Sequence, residues 1–151
     1  VSDLNITNME SKKITTSDLR LGNWLYDSQP KGFPMQVEGI GRDWIYLNFE
    51  GNEGDCFENT DKEIYPIPIT KELIVKSLNA EPLGDDYSVK LGDYRYIYFR
   101  INNDGYISID FFNYDDNSEN EICDGIRYVH ELQNLYHALT GKELEIRRGW
   151  L

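Results

Sequence analysis

From residue 18 onward the apolar residues come in short bursts parted by Gly, Pro, Asn and Asp, the rhythm of short strands. Four bursts, at 21–26, 35–40, 44–49 and 64–69, follow one another with turn-rich segments such as Ser28-Gln29-Pro30-Lys31-Gly32 between them. Pro66 and Pro68 lack the N–H a central strand needs and confine the last burst to a sheet edge. This predicts a small SH3-like curled antiparallel sheet or barrel, with a plain meander as the alternative.

Beyond residue 69 the period changes. Thr70 stands where an N-cap belongs, Glu72 falls in the first turn and Leu73, Ile74 and Leu78 share one side, so 71–79 predicts a short helix, ended by Pro82 and Gly84. After Asp85-Asp86, a hairpin is predicted from 94–101 and 106–112. Loop length decides its register, because a slip of one residue exchanges the two faces. A three-residue loop, Asn103-Asp104-Gly105 with Gly105 left-handed, pairs Ile101 with Ile107, Phe99 with Ile109 and Ile97 with Phe111 on one apolar face. Loops of two or four residues would set Ile97, Phe99 and Ile101 beside Ser108 and Asp110. The other face then displays Tyr94, Tyr96, Tyr98 and Arg100 alongside Tyr106, Ser108, Asp110 and Phe112. Residues 113–125, acidic and poor in apolar side chains, read as a solvated loop. Val129, Leu132, Leu135, Tyr136 and Leu139 recur at helical spacing, with Gly141 as the C-terminal cap, and 144–146 alternates as a final strand.

The expected fold class is therefore α+β: an SH3-like curled antiparallel sheet or barrel, a short helix, a β-hairpin, a core amphipathic helix and a short final strand. Residues 1–16 are polar and unpatterned and read as a mobile N-terminal arm, in which Met9 is a candidate natural start. Residues 17–151 read as a single domain, with 17–69 as its β part and 70–151 as its helix-hairpin-helix-strand part. At 151 residues there is material for one well-packed domain, or two small ones, and not for two enzymatic lobes.

Charge narrows the functions. Asp and Glu number 27 against 15 Lys and Arg, a formal charge of -12. Such a surface repels phosphate backbones, so direct nucleic-acid binding is not expected, and partners are proteins or neutral or cationic ligands. Cys56 and Cys123 form no C-x-x-C pair and give no disulfide framework, which fits a reducing compartment; one bridge between them stays open. No stretch reaches the roughly 20 apolar residues of a membrane span, and the expected location is cytoplasmic.

The Asp18-Leu19-Arg20-Leu21-Gly22-Asn23-Trp24 opening and the Ile67-Pro68-Ile69-Thr70 step into a helix carry a resemblance, together with the closing run Tyr128-Val129-His130-Glu131-Leu132-Gln133-Asn134-Leu135-Tyr136-His137-Ala138-Leu139-Thr140-Gly141-Lys142-Glu143-Leu144. The chain resembles a group of small uncharacterised proteins, with a domain of unknown function, from gut Bacteroidetes and their phages or mobile elements. The resemblance spans about 18–146 and implies an accessory protein; it carries over no site residues.

The tyrosine face is the first candidate site. Tyr94, Tyr96, Tyr98 and Tyr106, with Arg100 and Asp110, form an aromatic patch of the kind that anchors interfaces. The competing reading lays the 126–140 helix over that face and packs Ile97, Phe99 and Ile101 on the barrel. Asn113, Asp115, Asn117 and Asp124 fall on calcium-loop positions, but Ser118 stands where Gly is needed and Asp124 where a bidentate Glu belongs. Cys56, Cys123, His130 and His137 are ligand types for zinc at the wrong spacing, and both histidines read as an exposed helix face. No metal, cofactor or catalytic residue is therefore assigned. The leading expectation is a non-enzymatic binding or protein-interaction module. One alternative is an acidic nucleic-acid mimic that inhibits a basic host protein. A small hydrolase or nucleotide-processing enzyme using the histidines with Glu131 or Asp124 is another. A homodimer is a further way to bury the tyrosines.

Overall fold

Among the described residues, strand alternation builds two antiparallel sheets of five strands each, joined in sequence with two α-helices. The computed structural model describes residues 14–28, 31–48, 57–59 and 64–151. The expected arm as far as residue 13, Met9, Cys56 and the end of the 44–49 strand lie outside the described residues, as does the side chain of Asp124. The chain divides into two units, Val1–Pro66 and Ile67–Leu151.

In the first unit a 3-10 turn at Thr16–Asp18 precedes β1 (Trp24–Tyr26), β2 (Pro34–Ile40), β3 (Ile45–Asn48), β4 (Phe57–Asn59) and β5 (Tyr65–Pro66). The strand order is β4-β3-β2-β1-β5, so each strand pairs with its sequence neighbour except β5, which returns to β1. The described strands do not close into a barrel. Ile14, Leu19, Leu25, Met35, Val37, Ile45, Leu47 and Ile64 make the core.

The second unit runs α1 (Lys71–Leu78), β6 (Glu81–Leu83), β7 (Asp86–Gly92), β8 (Arg95–Ile101), β9 (Ile107–Asn113), β10 (Ser118–Ile126) and α2 (Val129–Thr140), with the sheet in sequence order. Thr70 caps α1 as expected, its Oγ1 accepting from the Leu73 N–H at 3.1 Å. The helix ends at Leu78, within one residue of the expected end. Asn79 adopts the left-handed conformation (φ 51°) and its N–H meets the Val75 carbonyl, while Pro82 lies in outer strand β6, where a missing N–H costs no ladder bond.

The hairpin register is the expected one: Ile101 faces Ile107, Phe99 faces Ile109 and Ile97 faces Phe111. Asn102 N–H donates to the Tyr106 carbonyl at 2.9 Å, closing a loop at 103–105 in which Gly105 takes φ 83°, a value a side chain would oppose. The pair does not stand alone, however, because β7 adds Val89 beside Ile97 and Tyr87 beside Phe99. The expected solvated loop at 113–125 is instead a tight turn followed by β10. Asn113 and Asp116 side chains accept the Asp115 and Ser118 N–H groups, each at 3.0 Å, and Asn117 is left-handed. Strand β10 is polar because it is outermost. Only its inward positions meet the core, Cys123 opposite Ile109 and Ile126 opposite Ile107, and two register shifts bring them there.

Both helices begin at one place. The Ile69 N–H donates to the Arg127 carbonyl and the Val129 N–H to the Ile67 carbonyl, at 2.9 and 2.8 Å, forming an antiparallel bridge at Pro68 and Tyr128. Leu132, Leu135, Tyr136 and Leu139 of α2 and Leu78 of α1 then line one small apolar gap with Ile97, Phe99 and Ile109. The helix therefore covers the isoleucine and phenylalanine face. The alternative in which it covers the tyrosines is overturned, since stacking rings with Arg100 and Asp110 could not replace that apolar surface.

Two further expectations change. Residues 144–146 form no strand; Leu144 and Ile146 are buried by packing, but their backbone joins neither sheet. His130 is buried rather than exposed, 5% accessible, because it sits in the first turn of α2 with its ring stacked on Tyr128 at 6.0 Å. His137 alone stays half-exposed, 3.7 Å from Glu143.

If the inner face holds the unit together, Phe99→Ala lowers unfolding free energy by about 3–5 kcal/mol. Thr70→Ala costs about 1 kcal/mol, which Thr70→Ser largely restores. Urea denaturation followed by circular dichroism measures both; equal costs would contradict this division between core and cap.

Candidate functional site

The outer face of the second sheet collects the chemistry. Pairing across β7, β8, β9 and β10 lays out two rows: Lys90, Tyr96, Phe112 and Glu119, then Ser88, Tyr98, Asp110 and Glu121. Each side chain is there because strand residues alternate and the inner positions are taken by the core.

Four rings form a continuous cluster. Tyr96 and Tyr98 lie nearly parallel at 6.5 Å, Tyr96 meets Tyr114 edge-on at 5.3 Å, and Phe112 meets Tyr114 at 4.4 Å and Tyr98 at 6.3 Å. The Tyr98 and Tyr114 hydroxyls are hydrogen-bonded at 3.2 Å. Tyr114 sits in the turn before β10 and is exposed, whereas Tyr96, Tyr98 and Phe112 are half-buried against one another.

Of the residues expected from sequence, Tyr96, Tyr98 and Asp110 belong to this patch. Tyr94 flanks it, exposed, and its carbonyl accepts from the Tyr114 N–H at 2.8 Å. Arg100 is turned to Asp86, with Nε to Oδ1 at 3.2 Å and Nη2 to Oδ2 at 3.3 Å. That hydrogen-bonded carboxylate, with Asp110 as a weaker influence, holds the guanidinium proton more tightly than usual. Tyr106 stands apart. The Arg127 guanidinium lies 5.2 Å from its ring centre, and Gly125 leaves room for the ring to approach the β10 backbone.

Tyr114, Glu119 and Glu121 were not singled out in the sequence. The clue was there: Glu119 and Glu121 alternate with Asn120 and Ile122, a period of two hidden by the acidic composition. The face thus carries Asp86, Asp110, Glu119 and Glu121 against Lys90 and Arg100, and Asp86 is already engaged by Arg100. Such a surface can stack apolar or cationic groups on its rings and neutralise positive charge at its acidic border.

Among the described residues no group of three or more His, Cys, Asp or Glu is placed to hold a metal ion. The calcium-loop positions are spread along a turn and a strand. No helix among the described residues is long and apolar enough to cross a membrane. No protein family, curated protein or solved structure matches the chain.

The Tyr98 hydroxyl is pushed up to about 12, first by its bond to Tyr114, then by burial and by the nearby Tyr114, Tyr96 and Glu119 charges. An unfolded tyrosine ionises at about 10, so the folded state binds this proton more tightly. The resulting stabilisation is complete below about pH 10 and is lost as pH rises through the folded value. Ring-carbon NMR of labelled tyrosine should show one late-titrating residue, which Tyr114→Phe moves back toward the ordinary value. Titration of Tyr98 with the bulk of the tyrosines would show that the hydroxyl pair does not form.

Proposed function

We propose that the chain is a non-enzymatic interaction module that binds a basic protein partner through the face of Tyr96, Tyr98, Phe112 and Tyr114. One observation carries this reading: four mutually packed rings occupy the side of the sheet opposite both helices. Aromatic side chains give much contact area for little lost rotamer freedom and are enriched among interface anchors. The carboxylates of Asp110, Glu119 and Glu121 select for positive charge, and with rings beside them they suit Arg and Lys side chains.

The same carboxylates favour a second, narrower reading, in which the acidic face imitates nucleic acid and inhibits a basic host protein. The resemblance to accessory proteins of gut Bacteroidetes and their mobile elements agrees with either. In the first unit, β1 between β2 and β5 supports an SH3-like reading of that sheet, although its described strands remain open. A cytoplasmic setting accords with the acidic composition and paucity of cysteine. A small ligand in place of a protein, or a second copy of the chain, would use the same rings.

Affinity capture on the immobilised full chain, eluted with a salt gradient, tests the reading. A basic protein should be retained in stoichiometric amount and released at moderate salt. Tyr96→Ala with Tyr98→Ala should weaken its binding at least about tenfold while the thermal transition persists. Unchanged retention by the folded double variant would place recognition elsewhere. A dimer in light scattering that the same double variant dissolves would show that the rings serve self-association instead.

A further inference from the structure

On the helix side of the second unit lies a cleft of about 720 Å³, within the range of small-molecule sites. It opens where both helices end. Leu78, Val89, Phe111, Ile122 and Leu139 give it an apolar lining, drawn from α1, α2 and three strands. Its polar lining is unlike the rest of the molecule. Arg95 and Lys142 border it and, among the described residues, no carboxylate does, in a chain with 27 acidic residues against 15 basic ones.

The basic side chains give this cleft a ligand class. Arg95 and Lys142 make no ion pair among the described residues, although the chain offers a surplus of partners. Lys90 also borders the cleft, but strand alternation sends its side chain to the outer face, so Arg95 and Lys142 set the local sign.

The helix ends do not oppose an anion as strongly as bare carbonyls would. The Asn79 and Ala80 N–H groups meet the Val75 carbonyl, the Gly141 N–H meets that of His137 at 2.8 Å, and the Thr140 hydroxyl meets that of Tyr136 at 2.8 Å. Several of the partial negative charges at this rim are thereby already satisfied.

We infer that the cleft binds a small amphipathic anion, an apolar body bearing a carboxylate or phosphate, with the body on Leu78, Val89, Phe111, Ile122 and Leu139 and the head group between Arg95 and Lys142. The site is separate from the tyrosine face and does not depend on what that face recognises. A lipid-derived acid and a phosphorylated apolar metabolite share this chemistry.

Titration calorimetry of the full chain with dodecanoate, dodecyl phosphate and dodecanol, all below their aggregation limits, tests it. At least one anion should saturate at one molecule per chain, and the stronger of the two identifies the head group. Dodecanol, with the same body and no charge, should bind about tenfold more weakly or less, the loss expected without charge-assisted hydrogen bonds. Arg95→Glu with Lys142→Glu should weaken the anion at least about tenfold and leave dodecanol unchanged. Ile122→Trp should block all three by filling the apolar lining. Should the charge-reversed protein lose its thermal transition, Arg95→Gln with Lys142→Gln replaces it and carries the same expectation. Failure of both anions to saturate, equal affinity for dodecanol, or indifference of the anion to the charge change would each overturn the inference. The Tyr96→Ala with Tyr98→Ala protein should bind the anion normally.

Discussion

The second unit depends on one constraint: the register of β8 against β9. With the turn at 103–105 and Gly105 left-handed, Ile97, Phe99, Ile107 and Ile109 point one way and Tyr96, Tyr98, Asp110 and Phe112 the other. A shift of one residue would mix the sets, placing charge beneath the helices and isoleucine in water. The flanking strands inherit that choice. Val89 joins the inner face through Ile97, and Glu119 and Glu121 join the outer face through Phe112 and Asp110. The helices can dock on one side only because this sorting leaves one side apolar. The bridge between 67–69 and 127–129 makes both of them leave from the same end.

This hairpin was legible in the sequence because three consecutive apolar pairs agree with one loop length and disagree with the others. The caps at Thr70 and Gly141 were legible for a similar reason, since each is a local backbone need met by one residue type. What escaped was decided by neighbours remote in sequence. Strand β10 reads as a loop because an outermost strand needs few apolar residues, and its inward positions, Cys123 and Ile126, are displaced by register shifts that break the alternation. His130 looks like a surface residue on a helical wheel, yet the start of α2 is tied to the 67–69 segment and the ring is enclosed. At 144–146 the alternation correctly marks two buried side chains and says nothing about whether a partner strand exists. The core of the tyrosine patch was visible in composition, but Tyr114 joins it only because a turn folds β10 back along β9.

One sheet thus presents two chemically opposite environments. Its outer face joins π-surfaces to carboxylates and suits a cationic surface, while its inner side, past the helix ends, holds a recess with the reverse charge. A surplus of negative charge over the whole chain describes the first place and not the second. Net charge governs long-range repulsion and solubility, and the local arrangement of a few side chains governs recognition.

The two outermost strands of this sheet have a consequence for how the protein meets others. Strand β6 is three residues long and contains Pro82, which cannot donate to an incoming strand, and β10 carries exposed Glu119 and Glu121 along the opposite margin. Short length, proline and like charge each discourage a foreign chain from extending the ladder. Pairing of this sheet with another copy of itself is therefore discouraged, at β6 by length and proline and at β10 by repulsion between like charges. The carboxylates that favour a basic partner thus also keep two copies of the chain apart at that margin.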